Sequence, residues 1–227
     1  RPAMSALAGE LADLFVTHPT NSDPRFLRER LIPTLDSAAT QGRPGIIAGA
    51  FVATGRNEHA VEAERERIRT YMGFLYSTPH YWPALEMRGL EELGMRLKSL
   101  ATAGDWENMT AAIDDDLMAE LVVAAPYDTA AGAVLSWYGE LVTAVCLRLP
   151  QDPADDGPLE QMLLLGGDGG RLAVDANGRF DLETALKYGA AMAPYGLRWF
   201  EEPGDPLDYT LNAEIVRCYP HAVATGE

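Results

Sequence analysis

The chain has 227 residues, 47% of them hydrophobic, which suits one large or two small globular domains and excludes disorder throughout. With 34 acidic against 18 basic residues, the formal net charge of −16 argues against binding to nucleic acid or to anionic membrane surfaces. Cys146 and Cys218 are too few for a disulfide framework or a Cys-rich zinc site, so we predict a cytoplasmic protein. The apolar runs are too short to span a bilayer, and the first residues lack a signal-peptide pattern. The start at Arg1 rather than Met suggests an excerpt or a fragment.

Strand and helix patterns alternate along the chain, which predicts an α/β fold of parallel strands with covering helices, organised as partial (β/α) barrel segments. The first strand ends at His18, and Asn21 or Ser22 caps the helix that follows, with Pro24 in its first turn. Predicted strands cover residues 14–17, 46–54, 141–149, 172–175, 197–200 and 221–227, and residues 121–124 form a short apolar run. Predicted helices include residues 3–13, 58–76, 85–103, 106–119, 129–138 and 181–192, and one that begins at Asp205-Pro206.

A change of composition divides the chain near residue 158. Residues 151–158 are acidic and rich in proline and glycine, which is typical of a linker. We therefore predict one domain over residues 1–150 and a second over residues 159–227. About three barrel strands fall in each part, whereas a closed barrel of this kind has eight, so we expect the barrel to be incomplete.

Three carboxylates end three strands of the second part. Asp175, Glu201 and Glu227 follow one another at equal steps of 26 residues. A βα unit of constant length that ends each strand with an acid places the three side chains at one edge of adjacent parallel strands. Carboxylates gathered in this way repel one another unless a cation lies between them, and oxygen ligands suit a hard ion such as Mg²⁺. We therefore predict a magnesium site there.

Residues 3–150 resemble the luciferase-like monooxygenase superfamily, in the branch that uses the deazaflavin coenzyme F-420. The resemblance lies in residues 7–13 before the strand that ends in His18-Pro19, and in residues 48–54, 76–79, 90–94 and 142–150. It implies a βα-barrel that binds the coenzyme at the C-terminal ends of its strands and transfers hydride to or from a small organic substrate. His18 lies where a coenzyme-binding residue is expected; the alternative is a structural histidine.

Residues 159–227 resemble the enolase superfamily, specifically the mandelate-racemase-type sugar-acid dehydratases and most closely D-tartrate dehydratase. The matching motifs are Val174-Asp-Ala-Asn-Gly178, Trp199-Phe-Glu-Glu-Pro203 and Ala224-Thr-Gly-Glu227. The resemblance implies that Asp175, Glu201 and Glu227 bind Mg²⁺ and that Asn177 contacts the substrate. In such enzymes the metal stabilises an enediolate while a lysine or histidine removes the α-proton of a carboxylate substrate. Here the linker and luciferase-like sequence replace the strand that should carry the lysine.

Three functional hypotheses follow from these patterns. The first is an F-420-dependent oxidoreductase that transfers hydride, which the longer resemblance favours. The second is a Mg²⁺-dependent sugar-acid dehydratase, which the sharper motifs favour. The third is an inactive fusion or fragment, because the proton-transfer residues are missing. The first two hypotheses imply a small-molecule partner, a carboxylate or sugar acid in the second case, and homo-oligomerisation stays open.

Overall fold

The structure, a computed structural model, describes residues 2–150, Gly157 and residues 169–225. The chain forms two compact units, Arg1–Pro126 with Ala133–Val142, and Tyr127–Gly132 with Thr143–Glu227. In the described residues, no helix is long and apolar enough to cross a membrane.

The first unit pairs its strands in parallel and connects them by helices, as the alternating patterns predict. Strand β1 pairs with β2 from Leu14↔Gly45 to Thr17↔Ala48, and β3 pairs with β4 at Val52↔Val123 and Ala53↔Ala124. Its elements are α1 (Pro2–Leu11), β1 (Leu14–Thr17), α2 (Pro24–Phe26, continued by a π turn at Leu27–Leu31 and by Ile32–Ala38), β2 (Gly45–Gly49), β3 (Val52–Ala53), α3 (Glu58–Tyr76), α4 (Pro83–Glu86), α5 (Glu91–Ala103), α6 (Trp106–Ala111), α7 (Asp115–Leu121) and β4 (Val123–Ala124). Helix α8 (Tyr127–Tyr138) follows.

Helix α3 has the bounds that its sequence predicts. The Asn57 side chain accepts the N–H of Ala60 at 2.9 Å and begins the helix, and Glu58 lies in the first turn, where a negative charge is favourable. Its buried side chains recur at helical spacing and enter the apolar core of the unit, which also contains Phe51, Leu97 and Met118. Because α3 is amphipathic and capped, local sequence and packing favour the same structure.

The second unit contains four parallel strands in the order β5, β6, β7, β8. They are β5 (Ala144–Arg148), β6 (Leu172–Asp175), β7 (Phe200–Glu201) and β8 (Val223–Ala224), with α9 (Leu182–Met192) and α10 (Tyr209–Cys218) between them. The side chains of Val174, Phe200 and Ile215 are fully buried. Asp181 caps α9 by accepting the N–H of Thr184 at 2.8 Å, and Gly196, in the left-handed conformation, ends the 3₁₀ turn Ala193–Tyr195 that follows the helix.

The prediction of one continuous strand over residues 46–54 is wrong. The run divides into β2 and β3, because the chain changes partner between them: β2 pairs with β1, and β3 pairs with β4. Phe51, between the two, places its side chain in the core while its carbonyl accepts the N–H of Val123 at 3.0 Å. A change of partner within an apolar run leaves no trace in the hydrophobic pattern.

Two predicted helices are also divided, and two predicted caps are wrong. Gly89, with φ of +68°, ends the segment that starts at Pro83, and Asp114 starts a new helix by accepting the N–H of Leu117 at 2.8 Å. Asp23 caps α2, in place of Asn21 or Ser22, because its Oδ1 accepts the N–H groups of Arg25 and Phe26 at 3.1 Å. Helix α10 is capped by Asp208, which accepts the N–H of Leu211 at 2.9 Å, and not by Asp205.

The predicted fold class is confirmed as α/β, with parallel strands and covering helices in partial barrel segments. The predicted domain limits stay a prediction, since the linker at residues 151–158 lies, except for Gly157, outside the described residues.

Candidate functional site at the strand ends

Two of the predicted metal ligands lie side by side in the second unit. Asp175 is the last residue of β6, Glu201 is the last residue of β7, and the two are register partners in this parallel pair. Register partners on neighbouring parallel strands place their side chains on the same face of the sheet, with the backbones about 4.8 Å apart. The structure therefore brings Asp175 and Glu201 together, as the equal spacing predicts.

Each of these carboxylates uses one oxygen in contacts with the protein. Oε2 of Glu201 accepts the indole N–H of Trp199 and the thiol of Cys146, each at 3.1 Å. Oδ1 of Asp175 accepts the backbone N–H of Asn177 at 2.6 Å. Within the described residues, no hydrogen bond is made by Oε1 of Glu201 or Oδ2 of Asp175. Both side chains are half-buried, so these oxygens remain open to a ligand.

Strained backbone follows both carboxylates. Asn177 has φ of +56° and Glu202 has φ of +40°, the only non-glycine residues with positive φ in the described part of the chain. Backbone hydrogen bonds join the two turns: the N–H of Ala176 donates to Glu201 at 3.0 Å, and that of Gly178 to Glu202 at 2.8 Å. Left-handed conformations at such residues persist where the surrounding structure fixes them, and they cluster at functional sites.

Strand β5 lies beside the carboxylates and carries a thiol. It pairs with β6 so that Arg148 is opposite Asp175 and Cys146 is opposite Ala173. The pKa of the Cys146 thiol is raised above its ordinary value, chiefly by burial and further by the charge and hydrogen bond of Glu201. The thiol therefore stays protonated and acts as a donor to Glu201.

The donor set at this edge fits a hard divalent cation. Two carboxylates on adjacent strand ends, each with an open oxygen, supply the ligand type that Mg²⁺ prefers. Glu227, the third predicted ligand, lies outside the described residues, and among those described no group of three potential ligands is found. Exposed Asn177 lies two residues after Asp175, and its predicted contact with a substrate stays a prediction.

His18, the predicted coenzyme-binding residue, follows β1 in the first unit and is half-buried. Its Nδ1 lies 2.8 Å from Oγ1 of Thr20, and its ring stacks on Tyr81 with centroids 4.6 Å apart and planes 19° apart. The segment that contains Tyr81 therefore lies against the end of β1. His18 has a defined structural role, and its role toward a coenzyme stays a prediction.

Sequence reasoning missed a buried ion pair next to this histidine. Arg88 donates to Oδ1 of Asp23 at 2.9 Å, and the two side chains are only 5% and 2% exposed. Burial alone would lower the pKa of Arg88, but the contacts with Asp23 and Glu120 outweigh it and raise the pKa. Burial and the Asp23 charge also raise the pKa of Tyr76, whose hydroxyl donates to the Thr20 carbonyl at 3.3 Å. The Asp23-Pro24 dipeptide, a helix start, was the available clue to Asp23.

Two family models match the two parts of the sequence separately. The model of the luciferase-like monooxygenases matches residues 1–144. The chain belongs to this family. The model described as enolase C-terminal domain-like matches residues 159–227, which confirms the composite resemblance predicted from the motifs.

Curated relatives match one part of this luciferase-like chain or the other. An uncharacterized protein of Mycobacterium tuberculosis (strain ATCC 25618 / H37Rv) is 35% identical over 137 residues, which are 58% of this chain and 40% of that protein. The 3,6-anhydro-alpha-L-galactonate cycloisomerase of Streptomyces coelicolor is 44% identical over 61 residues, 27% of this chain and 17% of the enzyme. The L-talarate/galactarate dehydratase of Salmonella typhimurium is 41% identical over 61 residues, 27% of this chain and 15% of the enzyme. The chain therefore spans less than half of the length of these relatives, and closeness to D-tartrate dehydratase in particular stays a prediction.

Among solved structures, the coenzyme F420 dependent tetrahydromethanopterin reductase of Methanopyrus kandleri has a TM-score of 0.56. It is 20% identical, and the match covers 72% of this chain and 46% of the reductase. At this identity the likeness shows the fold alone, and it supports the partial (β/α) barrel.

Proposed function

We propose that the luciferase-like part of the chain binds the deazaflavin coenzyme F-420 and serves hydride transfer to or from a small organic substrate. The observation that carries this proposal is the family match over residues 1–144, with His18 at the C-terminal end of β1. In βα-barrels the ends of the strands on that side carry the active site. The resemblance of residues 3–150 to the F-420-using branch of this family motivates the choice of coenzyme class.

The residues around His18 suit a flat heteroaromatic ligand. The stacked rings of His18 and Tyr81 form a rigid aromatic surface, and Thr20 fixes the His18 ring through Nδ1. We expect His18 to contact the coenzyme and to orient its ring. A bound deazaflavin would supply the hydride acceptor or donor, whereas the protein would supply binding and orientation.

Fluorescence titration of F-420 tests this proposal. We expect the chain to quench or shift the coenzyme fluorescence in a saturable way, and His18→Ala to weaken binding by at least about tenfold. His59→Ala is the matched control, because His59 is exposed on α3 and should leave the affinity unchanged. No spectral change at high protein concentration would refute the proposal and would favour the inactive-fusion hypothesis.

A second function is favoured by the carboxylate edge of the other unit. We propose that Asp175 and Glu201, with Glu227, hold Mg²⁺ in a site of the kind used by sugar-acid dehydratases. The supporting observations are the register pairing of Asp175 with Glu201 and the similarity of residues 159–227 to the enolase C-terminal domain. Bound Mg²⁺ would supply Lewis-acid stabilisation of negative charge on a carboxylate substrate.

The remaining residues of this edge hold the ligands in place. Trp199 and Cys146 bind Oε2 of Glu201 and leave Oε1 for the cation, and the backbone of Asn177 fixes Asp175. We expect the exposed Asn177 side chain to bind a hydroxyl or carboxylate group of a sugar acid.

Calorimetric titration with MgCl₂ tests the metal site directly. We expect Asp175→Asn to weaken Mg²⁺ binding by about tenfold or more, because a neutral amide is a much poorer ligand for a hard cation. Glu214→Gln is the control, since Glu214 lies on α10 and pairs with Arg217. Equal Mg²⁺ affinity of the wild type and Asp175→Asn would show that the cation binds elsewhere.

A further inference from the structure

A buried ion pair joins the two segments of the first unit that bring Tyr81 and His18 together. Arg88 follows α4, and Asp23 caps α2 just beyond the end of β1. Their side chains are 5% and 2% exposed and lie 2.9 Å apart. A pair so deeply buried is a weak source of stability compared with apolar residues of similar size.

All three nitrogens of the Arg88 guanidinium are used. Nη2 binds Asp23, Nε binds Oε2 of Glu120 at 2.7 Å, and Nη1 binds the carbonyl of Ala84 at 2.9 Å. The planar fork therefore fixes the orientation of the segment after α4 relative to Asp23, and a point charge such as lysine would fix it less well. Asp23 is fixed in turn, because its Oδ1 also accepts two N–H groups at the start of α2.

Two further contacts join the same segments. The Tyr76 hydroxyl donates to the Thr20 carbonyl at 3.3 Å, and the Tyr81 ring stacks on His18. Residues 77–88 therefore leave α3 at a fixed point, cover the end of β1, and are held at their far end by Arg88. Since Tyr81 lies between these two anchors, the position of its ring depends on both.

We propose that Arg88 is a positioning residue that acts through Asp23 to hold Tyr81 against His18. The inference deepens the proposed coenzyme function and rests on it for its meaning, because the His18–Tyr81 surface is the one proposed to receive the deazaflavin. It adds a determinant of that site that contacts neither the coenzyme nor the substrate.

NMR of the histidine ring protons tests the positioning without any coenzyme. Stacking on Tyr81 shifts the His18 ring signals, and Tyr81→Leu identifies that shift by removing it. We expect the shift to be lost in Arg88→Met and largely retained in Arg88→Lys. Arg96→Met is the matched control, because Arg96 is exposed on α5 and lies outside residues 77–88.

The double variant Asp23→Asn/Arg88→Met keeps the test decisive where Arg88→Met alone does not fold. It retains a side chain that can cap α2 and leaves no unpaired buried charge. We expect this variant to be folded and to lack the His18 shift. A folded variant with an unchanged His18 signal would overturn the proposal, because the pair would then only stabilise the unit.

Coenzyme titration separates this inference from the proposed function. If the wild type binds F-420, we expect Arg88→Met to weaken binding by about tenfold and Arg96→Met to leave it unchanged. Unchanged F-420 affinity in folded Arg88→Met would overturn the role in the site. If the wild type does not bind F-420, the proposed function fails, whereas the His18 signal still decides whether Arg88 positions Tyr81.

Discussion

Replacing Glu201 by glutamine tests whether Asp175 and Glu201 bind Mg²⁺, because Tm can be compared with and without the cation. Asp175 and Glu201 are register partners, so their charges lie on one face of neighbouring strands. Two unit charges about 5 Å apart repel by about 0.8 kcal/mol in water and by about 3 kcal/mol at an effective dielectric constant of 20. For half-buried groups we expect about 1 kcal/mol of repulsion without a cation.

The substitution relieves this repulsion and weakens two hydrogen bonds. Trp199 and Cys146 donate to Oε2 of Glu201, and an amide oxygen accepts such bonds less strongly than a carboxylate. The two effects oppose each other, so Tm without Mg²⁺ should change by no more than about 2–4 °C.

The response to Mg²⁺ is the decisive measurement. At a Mg²⁺ concentration 100 times Kd, binding to the native state stabilises the wild type by about 2.7 kcal/mol, which raises Tm by about 5–10 °C. We expect no such rise in Glu201→Gln and a normal rise in Glu214→Gln, measured by thermal unfolding at constant ionic strength. A Mg²⁺-dependent rise in Glu201→Gln equal to that of the wild type would refute the assignment.

Three further predictions concern packing, strain and pH. Gly94→Ala should lower the free energy of unfolding by about 1–3 kcal/mol, measured with urea, because the added Cβ would lie 2.6 Å from the Trp82 ring. Asn177→Gly should raise Tm slightly, by relief of up to about 1 kcal/mol of left-handed strain at φ +56°, while any affinity for a sugar acid falls. Hydrogen bonds, first from Arg69, lower the pKa of Asp115. The Asp115 carboxylate therefore stabilises the fold fully above the ordinary carboxyl pKa, and this stabilisation is lost as pH falls through the lowered pKa. Asp115→Asn should therefore flatten the acid side of a Tm-against-pH curve; an unchanged acid side would contradict this.

Some elements were predictable from the sequence. Helix α3 occupies the predicted residues 58–76, and the short strands β1 and β6 have their predicted bounds. In α3 the apolar spacing, the cap and the tertiary contacts agree, so the local pattern is sufficient.

The errors arise where tertiary contacts override the local pattern. The run 46–54 is apolar throughout, and its division into β2 and β3 depends on two different partner strands. The caps Asp23 and Asp208 compete with equally suitable neighbours, and only the packing of each helix selects among them. The Asp23–Arg88 pair joins residues 65 positions apart, which no local pattern predicts.

The juxtaposition of Asp175 and Glu201 was predictable for a different reason. Equal spacing of 26 residues is a global constraint, because each βα unit must return the chain to the same edge of the sheet. This constraint correctly placed Asp175 beside Glu201. The spacing did not predict that the side chains of Trp199 and Cys146 donate hydrogen bonds to Glu201.

The strand beside Asp175 determines what chemistry this edge can perform. Removal of an α-proton needs a base within hydrogen-bond reach and with a pKa near the operating pH. Strand β5 offers Arg148, which does not deprotonate, and Cys146, whose raised pKa keeps it a donor to Glu201. The chain has two lysines, and Lys187, the one in this unit, is exposed on α9.

His221 does not supply the base either. It precedes β8, whereas Asp175 and Glu201 end their strands, so it lies at the opposite end of the parallel sheet. We therefore expect the chain to bind Mg²⁺ without exchanging the α-proton of a sugar acid. Proton NMR in D₂O with galactarate and Mg²⁺ measures that exchange, and boiled protein gives the background rate. Exchange above background that is lost in Asp175→Asn would show that a residue beyond those described acts as the base.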